Sequence, residues 1–186
     1  MDPIPQPIST RTVILPDLAE RRTLFVFCPR VGRAVPLEAG CAECTACAGF
    51  TTSQDASRRP SALCTFGECA ARASRRPVGA VLARHAICVR ADAVGAVRGV
   101  GLHPGNVAVV DDDTRLVGTV DASGRVHTGD AVRGAAIPEA TAVALALRQM
   151  ALRRLRSAPV VARDGTVVGV VDDVDALRAL TVRGAV

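Results

Sequence analysis

Residues 107–121 read VAVVDDDTRLVGTVD and residues 158–172 read APVVARDGTVVGVVD, two copies of one pattern at a spacing of 51 residues. Val109, Val110, Asp113, Val117, Gly118, Val120 and Asp121 recur as Val160, Val161, Asp164, Val168, Gly169, Val171 and Asp172. So many identities in so short a window exceed what a valine-rich composition often supplies, and they establish an internal repeat. Each copy is an apolar run, an acidic or glycine-containing turn, and a second apolar run. That order predicts a hairpin covered on both faces, since neither run alternates with polar residues.

Working outward, Thr141 to Arg156 places Val143, Leu147 and Met150 on one helical face. Pro138 suits the first position of that helix, and Ser157-Ala158-Pro159 marks its end. Ahead of the first copy, Asp92 to Leu102 has similar spacing at Val94 and Val97 but carries Gly95, Gly99 and Gly101, which predicts a shorter, looser helix. After the first copy, GRVHTGDAVRG (124–134) is too glycine-rich for the helix expected there.

On these residues, the stretch from about Val78 to Leu180 resembles the cystathionine-β-synthase (CBS) domain family, whose strand, helix, strand, strand, helix repeat occurs in pairs. VGAVLARHAICVRADA (78–93) with VAVVDDDTRLVGTVD is similar to the family's opening copy, and RSAPVVARDGTVVGVVDDVDAL (156–177) to its closing copy. The resemblance implies an α+β fold of α/β-type repeats: a CBS domain pair about a pseudo-twofold axis, with repeat 1 at about 78–131 and repeat 2 at about 135–186. It further implies clefts that bind adenosine nucleotides in many members, regulation of a partner protein, a homodimer formed through the pair, and no catalysis.

The family's nucleotide signature is a glycine, two apolar residues, a Thr or Ser, then an aspartate three positions on that binds both ribose hydroxyls. Gly169, Val170, Val171, Asp172 and Asp175 occupy these places, so the resemblance makes Asp175 the ribose ligand and sets Asp172 and Val160 beside the nucleotide. Asp172 replaces the hydroxyl that faces phosphate and its charge repels an anion, which favours adenosine or a monophosphate over ATP. In the first copy Gly124 stands where the ribose aspartate belongs, and that half-site is expected to be degenerate. Asp175 is also what a helix start calls for, because a carboxylate there meets free amides and the helix dipole. Arg148, Arg153, Arg154 and Arg156 read as a solvated helix face.

The N-terminal third differs in composition. Residues 1–22 are proline-rich and then charged, and they read as an extended arm with weak support for helix or strand. Residues 23–72 hold all four phenylalanines (Phe25, Phe27, Phe50 and Phe66) and six of the seven cysteines, which predicts a separate module with its own small core, bounded near Arg72 to Pro77. Cys28, Cys41, Cys44, Cys47, Cys64 and Cys69 include pairs separated by two residues, whose thiolates converge readily on one ion. So small a segment gains stability from a metal, and the module is expected to be zinc-ribbon-like, with Cys28, Cys44, Cys47 and Cys64 as ligands and Cys41 and Cys69 as alternates. The run Cys41-x2-Cys44-x2-Cys47 also suits a [4Fe-4S] cluster, although no cysteine followed by proline comes after it. Cys88 reads as core, and His85, His103 and His127 as loop or surface residues.

Across 186 residues, 49% are hydrophobic but 2% aromatic, so the main core must be built of Val, Ala and Leu. The net charge of +5 would point to an acidic partner, yet all 23 basic residues are arginine and much of that charge reads as solubilising surface. A zinc module contacting nucleic acid through Arg30, Arg33, Arg58 and Arg59 is an alternative that the scarcity of aromatics disfavours. An iron-sulfur redox sensor is a second alternative. With no long apolar run, no secretory leader pattern and no nucleophile-base or phosphate-loop motif, the expectation is a cytoplasmic regulatory protein with no membrane span and no enzymatic activity, acting on a partner that the sequence does not name.

Overall fold

The computed structural model describes residues 3–51, 59–65, 76–83, 85–95, 107–121 and 123–181. Within them the chain runs β1 (Ile4–Ile14), β2 (Glu20–Cys28), β3 (Arg33–Pro36), β4 (Cys47–Thr51), β5 (Ser61–Cys64), β6 (His85–Arg90), β7 (Val107–Val110), β8 (Leu116–Val120), β9 (Val126–Thr128), α1 (Asp130–Ala135), β10 (Ile137–Pro138), α2 (Val143–Leu152), β11 (Ser157–Val161), β12 (Val167–Asp172) and α3 (Asp173–Thr181).

Both sequence copies are antiparallel hairpins, and they match residue for residue. Val109 faces Gly118 in β7–β8 as Val160 faces Gly169 in β11–β12, and each ladder shifts register at the same place, between Val109 and Val110 and between Val160 and Val161. The turns agree as well: the Asp111 amide donates to the Arg115 carbonyl as the Ala162 amide does to that of Thr166, and Thr114 and Gly165 both take positive φ, 61° and 86°. The hairpins meet tip to tip. Leu116 N donates to Gly165 O at 3.1 Å and Val167 N to Thr114 O at 3.0 Å, flanking an antiparallel bridge between Arg115 and Thr166. Exchanging the copies maps one of these bonds onto the other, so an approximate dyad passes between Arg115 and Thr166.

Each hairpin also receives a parallel strand from its own repeat, β6 beside β7 and β10 beside β11. The second repeat is completed by α2 and α3. Pro138 lies in β10 rather than opening α2, because Ile137 and Pro138 pair with Val160 and Val161, and the turn closed by Thr141 N on Pro138 O delays the helix to Val143. α2 ends where Arg154 takes φ 56° and the Leu155 amide returns to the Met150 carbonyl, a left-handed cap that satisfies a free helix-end carbonyl. In the first repeat the described part of the expected helix at Asp92 to Leu102 is a single 3-10 turn at Ala91–Ala93; residues 96–102 lie outside the described set. Instead of a long closing helix, the first repeat has β9 and the six-residue α1.

The N-terminal region departs most from expectation. Rather than a loose arm, residues 4–14 form β1, which pairs antiparallel with β2 and β5 and parallel with β6. The sheet order is therefore β3-β2-β1-β6-β7-β8-β9, with β5 also on β1 and β4 on β5. A second sheet is β10-β11-β12. Nor does the cysteine-rich segment keep a core to itself: Phe25 and Ala34 pack with Val78 and Leu82 and with Ile137, Val143, Met150, Val160 and Val171 of the second repeat. A further cluster joins Val13 of β1 to Cys88, Ala108, Val110 and Val167, filling the space beneath the dyad with side chains from both repeats.

Candidate functional site

The second repeat brings its signature residues to the junction of β12 and α3. Asp172 ends the strand, and its Oδ1 accepts the Asp175 amide at 2.5 Å, satisfying one of the free donors of the first helical turn. Its carboxylate thus works as the helix cap in the place where the family pattern has a hydroxyl. Gly169 lies close under Leu82: a Cβ there would stand 3.0 Å from the end of the Leu82 side chain. Beside it the Ala83 amide donates to the Val170 carbonyl at 2.7 Å, laying the segment 82–83 along β12. Val160 is fully buried in the core, so its side chain is not offered to a ligand.

Asp175 sits in the first turn of α3 with its side chain 24% exposed. Its Oδ2 accepts from Arg59 Nη2 at 3.1 Å, and Arg178 approaches its Oδ1 at 3.7 Å. Burial and then the neighbouring Asp172 charge raise the Asp175 carboxyl above the ordinary carboxylate range, while Arg59 and Arg178 oppose that rise. Arg59 Nη1 also donates to the Leu82 carbonyl at 2.8 Å. Two carboxylates, one helix N-terminus and one arginine from a distant loop therefore share this place. Arg59, a candidate phosphate contact by sequence, has its guanidinium committed within the chain to Leu82 and Asp175. Arg30 and Arg33 are exposed, and Arg58 lies outside the described residues. Arg148, Arg153, Arg154 and Arg156 are all exposed, as a solvated helix face requires.

Among the described residues the first repeat has no counterpart to this site. Asp121 Oδ1 accepts the amides of Ser123 and Arg125 and the Ser123 hydroxyl, and Oδ2 meets His127 Nε2 at 2.8 Å. The Ser123 and His127 contacts hold the Asp121 carboxyl far below its usual range. Gly124, in the aspartate's place, has φ 79° and turns the chain back into β9. His85 and His127 both lie on strands rather than in loops, and His103 is outside the described residues.

The thiols do not build the expected centre. Cys28 ends β2, Cys41 closes the wide helical turn Leu37–Cys41, Cys47 opens β4, and Cys64 pairs across the ladder with Cys47. Cys44 stands between two tight turns, with its amide on the Cys41 carbonyl and its own carbonyl accepting the Cys47 amide. Burial, and then the Cys47, Cys44 and Cys28 thiols, push the Cys41 thiol up to about 12. Among the described residues no three His, Cys, Asp or Glu side chains are placed to hold a metal ion, and Cys28, Cys44, Cys47 and Cys64 are not gathered into one such group. Cys69 lies outside the described residues. The segment is held by strand pairing to β1 and by Phe25 in the shared core. Cys88 is fully buried core.

Glu139 was not singled out by the sequence reading. It is 8% exposed, and its Oε2 accepts the Ala34 amide at 2.9 Å, tying β3 to the turn before α2. Nothing in its sequence context, IPEAT, distinguishes it from a surface glutamate.

Residues 135–182 match the CBS domain family. None of the curated proteins matches the sequence. Among solved structures, the cytosolic domain of the Mg2+ channel MgtE in complex with ATP is similar at 19% identity and TM-score 0.44, over 56% of this chain and 48% of that one. The CBS pair domain of a putative Mg2+ transporter from Shewanella oneidensis MR-1 is similar at 19% identity and TM-score 0.45, over 56% of this chain and 69% of that one. A CBS domain pair/ACT domain protein from Thermotoga maritima is similar at 17% identity and TM-score 0.43, over 56% of this chain and 95% of that one. The chain thus spans about half the length of the MgtE domain it matches. No helix among the described residues is long and apolar enough to cross a membrane.

Proposed function

We propose that the chain is a non-enzymatic regulatory protein whose second repeat senses an adenosine compound through Asp175. The observation that carries this reading is the placement of that carboxylate. It stands at the N-terminal turn of α3, three residues after the capping Asp172 and six after Gly169, with its two oxygens turned toward side-chain cations rather than into the helix. A ribose diol presents two hydroxyl donors with the spacing a carboxylate accepts, and α3's free amides favour electron-rich groups nearby. The Asp172 carboxylate beside it disfavours a triphosphate, so adenosine and its monophosphate are the preferred ligands. The first repeat acts as the structural partner across the dyad, and assembly of two chains through the pair belongs to the same reading.

Calorimetry of the full chain with adenosine, AMP, ATP and S-adenosylmethionine tests it. Adenosine or AMP is expected to bind native protein, ATP to bind more weakly, and Asp175→Ala to abolish all three while leaving the thermal midpoint within a few degrees of native. Equal binding by Asp175→Ala would overturn the role given to that carboxylate, and no binding of any adenosine compound by the native chain would remove the ligand from this function.

A further inference from the structure

The backbone of Arg59 belongs to the approach to β5, while its guanidinium bridges the Leu82 carbonyl, beside β12, and Asp175 Oδ2 of the second repeat. Both members of the ion pair are about three-quarters buried, at 25% and 24% exposure, so the contact is not one of the mobile surface pairs that contribute little. The same carboxylate oxygen is the one a ribose hydroxyl needs, because a diol grips a carboxylate through both oxygens and Oδ1 alone leaves one hydroxyl unpaired.

We infer that Arg59 is a built-in competitor for the ligand position of the second repeat: a ribonucleoside and the Arg59 guanidinium hold Asp175 in alternation, and entry of the ligand releases the β4–β5 hairpin from that repeat. The inference rests on the reading of Asp175 as the ribose ligand. Its structural consequence follows from what Arg59 is attached to. Its carbonyl accepts the Ser61 hydroxyl at 3.4 Å, and the next carbonyl, that of Pro60, accepts the Ile8 amide at 2.9 Å, so the arginine's backbone is continuous with β5 and the start of β1. At its other end, Leu82 lies over Gly169, and Ala83 is bonded to Val170. When Arg59 leaves, the side-chain bridge between these two regions is lost at a single stroke, while the strand pairing within each remains. Ligand occupancy in the second repeat is thereby reported to the hairpin that carries Cys47 and Cys64.

The charge balance also selects the ligand. With Arg59 displaced, the Asp172 and Asp175 carboxylates face the newcomer with Arg178 as the nearby cation. A neutral nucleoside therefore displaces Arg59 more readily than one bearing a polyphosphate.

The test uses the full chain and adenosine as probe, comparing native protein with Arg59→Gln by calorimetry, together with amide hydrogen exchange. Arg59→Gln is expected to bind adenosine about fivefold tighter, the low end of typical coupling between two sites. Adenosine on native protein is expected to speed exchange at residues 61–64 and 82–83, and Asp175→Asn to do so without ligand. Native binding with equal or weaker binding by Arg59→Gln overturns the competitor and leaves the ribose reading intact. No adenosine binding by either protein overturns the ribose reading, and the competitor with it. Exchange at 82–83 that ignores both adenosine and Asp175→Asn counts against the bridge itself, whatever the affinities.

Discussion

Arg11 is 7% exposed on β1, with its guanidinium 4.8 Å from the centre of the Phe25 ring and Nη1 on the Val167 carbonyl and the Thr114 hydroxyl. Its Nε is buried with no partner among the described residues, and burial lowers its pKa from the usual value. A cation in that position ties both hairpin tips to the N-terminal strand at the dyad. Arg11→Ala leaves the Val167 carbonyl short of a donor and opens a void against Phe25, and should cost about 3 kcal/mol in urea unfolding at unchanged slope. A loss below about 1 kcal/mol would mean that relief of the buried charge offsets both effects. Neither the role of Arg11 nor the partner of Arg59 could be read among 23 arginines in the sequence, because each acts on a group more than a hundred residues away. Asp175 could be, since a motif of fixed spacing surrounds it.

The hairpin elements were legible because their apolar runs, turns and glycines recur together. Equivalent glycines nevertheless do different work. A Cβ on Gly118 would stand 3.0 Å from the His127 carbonyl and 3.2 Å from Val109 Cβ, and backbone cannot yield; on Gly169 it would meet the tip of Leu82, which can rotate. Gly118→Ala is therefore expected to cost about 2 kcal/mol and Gly169→Ala less than about 1 kcal/mol, read from denaturation midpoints. Equal losses would refute the distinction. β1 was missed because Pro3, Pro5 and Pro7 suggest a structureless lead-in, yet Ile8, Thr10, Thr12, Val13 and Ile14 are β-branched and suit a strand. Pro5 and Pro7 fall where β1 pairs with the short β5, and the ladders to β2 and β6 begin beyond them, at Ile8 and Thr10. The Cys-x2-Cys spacing corresponds to successive tight turns, in which the Cys44 and Cys47 amides return to the Cys41 and Cys44 carbonyls.

At the scale of the molecule, the expected boundary between a cysteine module and a repeat pair is crossed by one sheet, one apolar cluster and the Glu139 carboxylate. Burial raises Glu139 above its ordinary value of 4.5, with the Ala34 amide and Arg33 opposing. A carboxyl raised in the fold favours the native state fully below its unfolded value, and that contribution disappears as pH climbs through the folded one. Glu139→Gln keeps an acceptor for Ala34 without titrating, so its urea midpoint should gain on that of native protein between pH 5 and pH 8. Parallel curves across that range would place the carboxyl's burial outside the energetics of the junction.

Because β1 takes β6 as its parallel neighbour, joining Thr10 to His85, the strand nearest the N-terminus stays half-paired until a long stretch of chain has been made and returned to it. Closing so large a loop is slow, and meanwhile the nascent chain presents an unfinished edge to whatever lies nearby. Conditions that hasten translation or crowd nascent chains would therefore be expected to lower the yield of native protein before they affect the stability of the finished molecule.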